Sequence, residues 1–236
     1  MAILAEEPTE VGLKKALETV EAYHSRLLAI KVLDPACGSG NFLYVAYDML
    51  RSLELEVFQM LEDLSAGRGG PQRRLGLNTV VVTPEQFLGL EIDKWAASIA
   101  ELVLWIGHLQ WFHRLNPGQL PPQPVLSRYN TIEERDALLE HEGEIPTDEM
   151  RWDGRTKIQD PLTCRLIPDR TALVRVMRYI KPRAATWPKA DFVVGNPPFL
   201  GSGERMRRDL GSGYVDALHA AYPARCAALA CTDCAR

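Results

Sequence analysis

Two stretches of this sequence hold residue types whose spacing could support chemistry. Residues 32–42 read VLDPACGSGNF, which predicts a strand, a glycine-rich turn and then a helix. Residues 191–201 read DFVVGNPPFLG, which predicts a strand that ends in a loop. Two adjacent prolines fix φ in that loop, and an aromatic residue follows them. The first stretch therefore suits a bound ligand, and the second suits polar groups that must be held still.

The glycine-rich turn indicates what kind of ligand fits. In a doubly wound α/β sheet, the first strand-to-helix turn needs glycine for a tight bend and for close approach to a ligand, and Gly38 and Gly40 meet that need. The turn has no lysine and does not match GxxxxGK[ST], which argues against a nucleoside triphosphate. Asp34 at the strand end suits a ligand with an ammonium and a sulfonium group. A plain turn whose glycines serve packing is the alternative.

Helices and strands alternate around these stretches. Helical periodicity covers residues 11–29, 42–64 and 94–114, and a short helix is predicted at 171–180. Apolar runs predict strands at 30–34, 79–83, 88–92 and 190–195, and a strand followed by a turn within 129–139. Only one of the strands 79–83 and 88–92 need belong to the main sheet. This order predicts an α/β fold with a doubly wound, mostly parallel, Rossmann-like sheet.

The helix predicted at 94–114 is unusually apolar. Its apolar residues cover most of its circumference, which predicts that it is buried between layers. Asp93 directly precedes this helix and is predicted to be its N-cap.

Composition places the chain among ordinary globular proteins. Its 236 residues are 46% hydrophobic and 25% charged, which favours one α/β domain with a sizeable core. The net charge of −4 gives no global basic signature, so a nucleic-acid partner would be held by a local patch. No leader pattern or long apolar run is visible, so we expect a cytoplasmic protein with no membrane partner.

The cysteines and histidines do not predict a metal site. Five cysteines, three of them in the last eleven residues, do not form a disulfide framework. Cys231 and Cys234 form a CxxC, but zinc needs a second ligand pair. His108 and His113 are five residues apart on a helix, which favours core or rim histidines. Cys37 is predicted to be a small packed residue.

Three segments together resemble the motifs of a known enzyme family. Residues 34–42, DPACGSGNF, resemble motif I of S-adenosylmethionine (SAM)-dependent adenine-N6 DNA methyltransferases, particularly the large restriction-modification enzymes of the MmeI-like type. Residues 89–93, GLEID, resemble the acidic strand end that follows motif I, and residues 196–199, NPPF, resemble motif IV. The resemblance covers roughly residues 27–223.

The resemblance implies SAM as the cofactor and assigns residues to its site. The residues that would line the SAM site are Asp34, Ala36, Gly38, Gly40 and Phe42. Glu91 would bind the ribose hydroxyls, as a strand-end carboxylate can do for a vicinal diol. Asp136 resembles the acid that contacts the adenine moiety of SAM, with Asp160 or a surface helix cap as alternatives.

The NPPF motif implies chemistry on a planar amino group. The lone pair of the adenine amine is delocalised into the ring, so acceptors on its two hydrogens are needed to make it nucleophilic. The Asn196 side chain and the Pro197 carbonyl are the predicted acceptors. Phe199 would stack on an adenine flipped out of DNA, and methyl transfer would be direct. A strand-to-loop stop without catalysis is the alternative.

Arginines close to NPPF are candidates for contact with DNA. Arg205, Arg207 and Arg208 would bind phosphates beside the flipped base. A solvated charged helix face is the alternative. Cytosine-C5 chemistry is set aside because the chain has no Pro-Cys pair.

The predicted domain organisation follows the family. Residues 1–29 are a helical lead-in, residues 30–223 are the methyltransferase catalytic domain with an insertion at about 116–168, and residues 224–236 are an atypical tail rich in Ala and Cys. We expect the methyltransferase fold to be incomplete at both ends and the target-recognition region to be missing or separate. No PD…ExK nuclease motif is evident. The hypotheses left open are an adenine-N6 DNA methyltransferase, a methyltransferase for RNA or protein glutamine, and an inactive truncated remnant.

Overall fold

A computed structural model describes residues 10–65, 81–121, 129–197 and 204–223. The chain divides into two compact units. The first unit comprises Met1–Arg135 and Pro188–Asn196, and the second comprises Asp136–Trp187 and Pro197–Arg236. In the described ranges, no helix is long and apolar enough to cross a membrane.

The helices and strands alternate in the first half of the described chain. The helices are α1 (Glu10–Ala29), α2 (Asn41–Ser65), α3 (Lys94–Leu115), α4 (Glu204–Leu210) and α5 (Ser212–Ala221). The strands are β1 (Val32–Asp34), β2 (Phe87–Glu91), β3 (Ile132–Glu134), β4 (Leu139–Glu140), β5 (Gly143–Trp152), β6 (Lys157–Gln159), β7 (Leu166–Pro168), β8 (Leu173–Ile180), β9 (Arg183–Ala184) and β10 (Phe192–Val193).

The first unit is built on a parallel sheet. Its strand order is β10-β1-β2-β3, and all neighbours are parallel. In register, Leu33 pairs with Val193 on one side and with Leu88 on the other. Because parallel neighbours need crossovers, α2 and α3 connect successive strands, and the predicted α/β fold with a parallel sheet is confirmed.

The core of the first unit lies between the sheet and its helices. Buried residues from β1, α2, β2 and α3 form one cluster, which includes Val32, Leu43, Tyr47, Phe87 and Leu104. The Tyr47 and Phe87 rings meet edge to face with centroids 5.4 Å apart. This packing fixes α2 against the sheet, so the turn that starts α2 has a rigid base.

A buried charge network lies beneath α1 and α2. The Glu54 carboxylate contacts the Arg51 guanidinium, and it also accepts hydrogen bonds from His24 Nε2 at 3.0 Å and from the Val82 amide at 2.9 Å. Arg51 and Glu54 are 5% and 0% exposed, so each charge depends on these partners. The network ties α1, α2 and the segment before β2 together.

The helix α3 begins where the sequence predicts. The Asp93 side chain accepts a hydrogen bond from the Ala96 amide at 2.8 Å, which confirms the N-cap. The prediction that α3 is buried between layers is wrong. Ala97, Ala100, Leu104, Gly107 and Trp111 are buried. The opposite side is exposed among the described residues, and Trp95 there is 80% exposed.

Two other predicted elements differ from the structure. The helix predicted at 171–180 is wrong, because these residues form β8, which pairs with β5 in an antiparallel hairpin. Its β-branched and aromatic residues Val174, Val176, Tyr179 and Ile180 favour a strand. Residues 81–83 are not a strand, and residues 79–80 lie outside the described ranges. The strands predicted at 88–92 and within 129–139 are confirmed as β2 and β3.

The second unit is made of antiparallel pairs and two helices. The strands pair as β5 with β8, β6 with β7, and β4 with β9. The rings of Tyr179 on β8 and Tyr214 on α5 have centroids 6.0 Å apart. The Tyr222 hydroxyl donates to the Leu138 carbonyl at 2.8 Å.

Candidate active site

The candidate site begins at the switch point of the parallel sheet. From β1 the chain continues to β2 and β3 on one side, and it returns as β10 on the other side. Ligands of open α/β sheets bind beyond the carboxyl ends of the strands at such a point. Asp34 ends β1 and Asn196 follows β10, so both predicted motifs emerge at this edge.

The glycine turn after β1 depends on glycine at two positions. Gly40 has φ +82, and a Cβ there would lie 3.0 Å from the Ala100 Cα of α3. Gly38 has φ +54 with open space where a Cβ would stand. Gly40 therefore allows α2 to pack closely on α3, and Gly38 leaves the outer side of the turn free for a ligand.

Glu91 holds the glycine turn against the end of β2. Its Oε2 accepts a hydrogen bond from the Gly38 amide at 2.8 Å. Its Oε1 accepts from the Ile92 and Asp93 amides at 2.8 and 2.9 Å. A carboxylate has about four acceptor positions, so Glu91 keeps capacity for one more donor. Three backbone amides thus fix its orientation at the end of β2.

Asp34 is a buried acid with an unsatisfied oxygen. It is 1% exposed, and its Oδ1 accepts from the Ala36 amide at 3.0 Å. Its Oδ2 has no hydrogen-bond partner among the described residues. Burial raises the pKa of Asp34, and the nearby Glu91 carboxylate adds to the rise, while the Ala36 hydrogen bond lowers it. A cationic donor at Oδ2 would relieve this cost.

Asn196 is brought to the glycine turn by β10. The Val194 amide donates to the Leu33 carbonyl at 2.9 Å, which extends the β1–β10 pairing by one residue. At the next residue, Gly195, a Cβ would lie 2.5 Å from Asp34 Oδ1. Asn196 and Pro197 follow and are exposed. Pro198 and Phe199, the rest of the predicted motif, lie outside the described residues.

Gly195 is the position that the sequence reasoning missed. It stands in the quoted stretch DFVVGNPPFLG, directly before Asn196. A glycine between an apolar strand and a proline-stiffened loop can indicate that another side chain or backbone segment approaches closely, and this pattern is visible in the sequence.

The remaining residues predicted in the first unit have different surroundings. Ala36 is half-buried in the turn, and Phe42, at the start of α2, is 50% exposed. Cys37 is buried, and burial, together with Asp34 and Glu91, raises the pKa of its thiol to about 12. A thiol of that kind is a packed residue and not a nucleophile.

Asp136 belongs to the second unit and is already hydrogen-bonded there. Its Oδ1 accepts from the Leu138 amide at 2.7 Å and from the Leu139 amide at 3.2 Å, and its Oδ2 accepts from the Tyr214 hydroxyl at 2.5 Å. Burial, followed by this hydrogen bond, raises the pKa of Tyr214. The contact of Asp136 with the adenine moiety of SAM stays a prediction.

Asp160, the alternative acid, caps a local turn. It accepts from the Leu162 amide at 3.0 Å and from the Thr163 hydroxyl at 2.6 Å.

The predicted DNA-binding arginines all form ion pairs. Arg205 and Arg208 lie 3.8 and 3.1 Å from Asp209, and Arg207 lies 2.7 Å from Asp216 on α5. Their role in DNA binding stays a prediction, since contact with phosphate would compete with these pairs.

The residues of the glycine turn fit SAM. A ligand with a positive charge and a vicinal diol suits the site, because it could use the orphaned Oδ2 of Asp34, the open side of Gly38 and the spare acceptor capacity of Glu91.

His108 is held by a hydrogen bond with the Tyr47 hydroxyl at 3.1 Å, which agrees with a core or rim histidine. Among the described residues, no group of three metal-ligating side chains occurs.

The parallel sheet and its glycine turn form a Rossmann-like fold of the methyltransferase type. A family model described as the MmeI DNA-methyltransferase domain matches residues 10–212. The match covers most of the chain, and the chain belongs to this family of DNA-methyltransferase domains.

Two known proteins are similar over part of the chain. A stretch of 88 residues, 36% of this chain, is 41% identical to DNA methyltransferase A of Bacillus subtilis (strain 168). A solved structure of the type IIL restriction-modification enzyme MmeI in complex with DNA is 31% identical over 52% of this chain, with a TM-score of 0.44. The chain spans 9% of the length of the first relative and 16% of the second.

Proposed function

We propose that this chain transfers a methyl group from SAM to the N6 amine of adenine in DNA, as part of a restriction-modification system. The observation that carries the proposal is the close approach of Gly195 to Asp34. This approach puts the start of NPPF at the edge of the sheet where the glycine turn lies. Membership of the MmeI DNA-methyltransferase family supports DNA as the substrate.

The glycine turn would hold the cofactor by charge and by hydrogen bonds. Bound SAM supplies an electrophilic methyl group. Asp34 would offer Oδ2 to a cationic donor, and Glu91 would accept from the ribose hydroxyls while three amides fix its carboxylate. These acceptors are in place before binding, which lowers the cost of ordering them.

Asn196 and Pro197 would act on the amine. A flipped adenine would donate its two amine hydrogens to the Asn196 side-chain oxygen and the Pro197 carbonyl. These acceptors would draw the nitrogen toward tetrahedral geometry and free its lone pair for attack on the methyl carbon. The transfer would break the bond between that carbon and the sulfonium sulfur, and the amine would release one proton to solvent, which leaves N6-methyladenine and S-adenosylhomocysteine. Fixed acceptors stabilise the charge that develops on the amine. Phe199 would stack on the base, a contact worth about 1–3 kcal/mol.

A comparison of substrates tests the proposal. The purified chain is incubated with methyl-labelled SAM and duplex DNA, with tRNA in parallel, and Asn196→Ala is the variant. The proposal expects label in DNA and a loss of about 100-fold or more in Asn196→Ala. Label in tRNA alone, or equal transfer by Asn196→Ala, would overturn it.

A matched control comes from an amide away from the site. Gln119 is exposed, has no positive φ and does not belong to the predicted motifs. Gln119→Ala is expected to transfer methyl groups at the wild-type rate. A loss equal to that of Asn196→Ala would mean that the loss is not specific to the motif.

A further inference from the structure

One segment of the second unit has a local excess of positive charge. Residues 150–178, called the distal hairpin here, contain seven Arg and Lys residues and three Asp residues, and no Glu. The segment therefore carries a formal charge of +4, while the whole chain carries −4. The distal hairpin comprises the end of β5, the strands β6 and β7, and most of β8. It is a basic stretch of an acidic chain, and the acids Glu144, Asp148 and Glu149 border it on β5.

The three acids of the distal hairpin accept hydrogen bonds within their own turns. Asp153, Asp160 and Asp169 each accept hydrogen bonds from a threonine hydroxyl and from a backbone amide two residues ahead. These hydrogen bonds lower the pKa of each carboxyl, with the threonine hydroxyl as the first cause. The carboxylates therefore shape their own turns, and among the described residues none of them forms an ion pair, although attraction to Arg155 is a minor cause of the lowered pKa of Asp153.

Six of the seven basic side chains are exposed and form no ion pair with any described residue. They are Arg155, Lys157, Arg165, Arg170, Arg175 and Arg178. The seventh, Arg151, pairs with Glu149 at 2.5 Å and donates to the Ser212 hydroxyl at 2.8 Å. Arg205, Arg207 and Arg208 differ, because each of them is paired with an acid. Among the described residues, no ion pair would have to break before these six cations contact an anionic partner.

We infer that the distal hairpin is an arm that binds the phosphate backbone of duplex DNA. This inference rests on the proposed function for the choice of DNA over other polyanions. Phosphate contacts need exposed cations with few competing acids, and they position a duplex without reading its sequence. The arm would raise the affinity for any duplex and leave the choice of base to the site at NPPF.

The salt dependence of DNA binding tests the arm. The full chain is titrated onto a fluorescent duplex across a range of salt concentrations. Its variant carries Lys157→Gln, Arg165→Gln and Arg170→Gln. Each lost phosphate contact reduces the slope of log K against log salt by about 0.9, so the variant is expected to lose about 2.7 in slope. We also expect at least a 10-fold weaker affinity at moderate salt.

Two control proteins separate a specific arm from net charge. The first carries Lys14→Gln, Lys15→Gln and Arg26→Gln on α1, which gives the same change in charge at exposed positions. It is expected to bind DNA within about twofold of the wild type. The second keeps the charge through Arg165→Lys and Arg170→Lys, and its slope is expected to be unchanged because phosphate contacts need only a cation.

The outcomes distinguish the arm from the proposed function. Equal losses in the hairpin and α1 variants, wild-type binding by the hairpin variant, no binding of duplex DNA by the wild type, or tighter binding of single-stranded RNA than of duplex DNA would each overturn the arm. The proposed function is tested separately, by measuring methyl transfer to DNA. A hairpin variant that needs more DNA for half-maximal transfer but reaches the wild-type kcat supports the arm.

Discussion

The backbone of Gly195 lies so close to the Asp34 carboxylate that a Cβ at residue 195 would stand 2.5 Å from Oδ1. Real Cβ atoms do not approach other atoms so closely, so any other residue would displace either the carboxylate or the chain. Asp34 ends β1, and Gly195 lies two residues after the neighbouring parallel strand β10 and directly before NPPF. Gly195 therefore couples the position of the NPPF loop to the glycine turn.

Replacement of Gly195 with alanine is expected to impair catalysis. The added methyl group would push the chain before Asn196 away from Asp34, and a displacement near 1 Å can cost about 100-fold in rate. We expect kcat for methyl transfer to fall by about 10- to 100-fold, measured with labelled SAM at saturating DNA. Gly118→Ala is the control, since Gly118 has φ +79 but open space where a Cβ would stand. Wild-type kcat in Gly195→Ala would contradict the coupling.

Asp34→Asn is expected to weaken binding of SAM. Asparagine keeps the shape and the oxygen that accepts from the Ala36 amide, but it removes the negative charge. A hydrogen bond to a charged group is worth about 1.5–3 kcal/mol, which corresponds to roughly 10- to 100-fold in affinity. Isothermal titration calorimetry with SAM measures this change. An affinity equal to that of the wild type would show that Asp34 does not meet the cationic part of the cofactor.

Asp34→Asn is also expected to have a higher free energy of unfolding than the wild type at neutral pH in the absence of ligand. Burial raises the pKa of Asp34 above its ordinary 3.8, so ionisation costs the folded state more than the unfolded state. Protonated Asp34 contributes fully to the free energy of unfolding below pH 3.8, the ordinary pKa of the group. This contribution is lost as the pH rises through the higher pKa that Asp34 has in the folded protein. Urea unfolding at several pH values should show the stability difference growing from acid to neutral pH. A difference independent of pH would contradict this cause.

Removal of the Arg51 charge is expected to destabilise the first unit strongly. Arg51→Met leaves the Glu54 carboxylate buried with, among the described residues, His24 and the Val82 amide as its partners. Breaking a buried ion pair in this way costs about 3–5 kcal/mol of unfolding free energy. The exposed pair of Lys14 and Glu18 provides the control, and Lys14→Met is expected to cost less than about 1 kcal/mol. Similar losses in the two variants, measured by urea unfolding, would contradict the importance of this network.

Cys37 is expected to resist alkylation in the folded protein. Its pKa of about 12 leaves very little thiolate at neutral pH, and its side chain is buried. Cys164 is exposed and should react before Cys37. Peptide mass spectrometry after treatment with iodoacetamide, in the native and the unfolded protein, compares the two directly. Fast labelling of native Cys37 would contradict its role as a packed residue.

The sequence predicted the elements whose local pattern agrees with their packing. The glycine turn after β1, the N-cap at Asp93 and the strand before NPPF follow from short patterns and are confirmed. The strand β8 was mistaken for a helix because Leu173, Val176, Met177 and Ile180 follow a spacing of three and four. These residues form a strand because β8 pairs with β5. That pairing joins residues about 20 to 40 positions apart, so a local pattern could not show it.

The site could be predicted only in part. Residue types near each motif pointed to Asp34, Glu91 and Asn196, but the bond from the Gly38 amide to Glu91 spans 53 residues. The contact of Gly195 with Asp34 spans a still longer separation and depends on the order of the strands. Periodicity also could not show that the Trp95 side of α3 is exposed, because an apolar pattern predicts burial without naming a partner.

The most direct measurement is the identity of the methylated nucleoside. Duplex DNA is incubated with the chain and SAM that carries a deuterated methyl group, then digested to nucleosides and analysed by mass spectrometry. We expect deuterated N6-methyladenine, absent with Asn196→Ala and greatly reduced with Gly195→Ala. Deuterated methyl on cytosine, or N6-methyladenine formed equally well by Asn196→Ala, would contradict it.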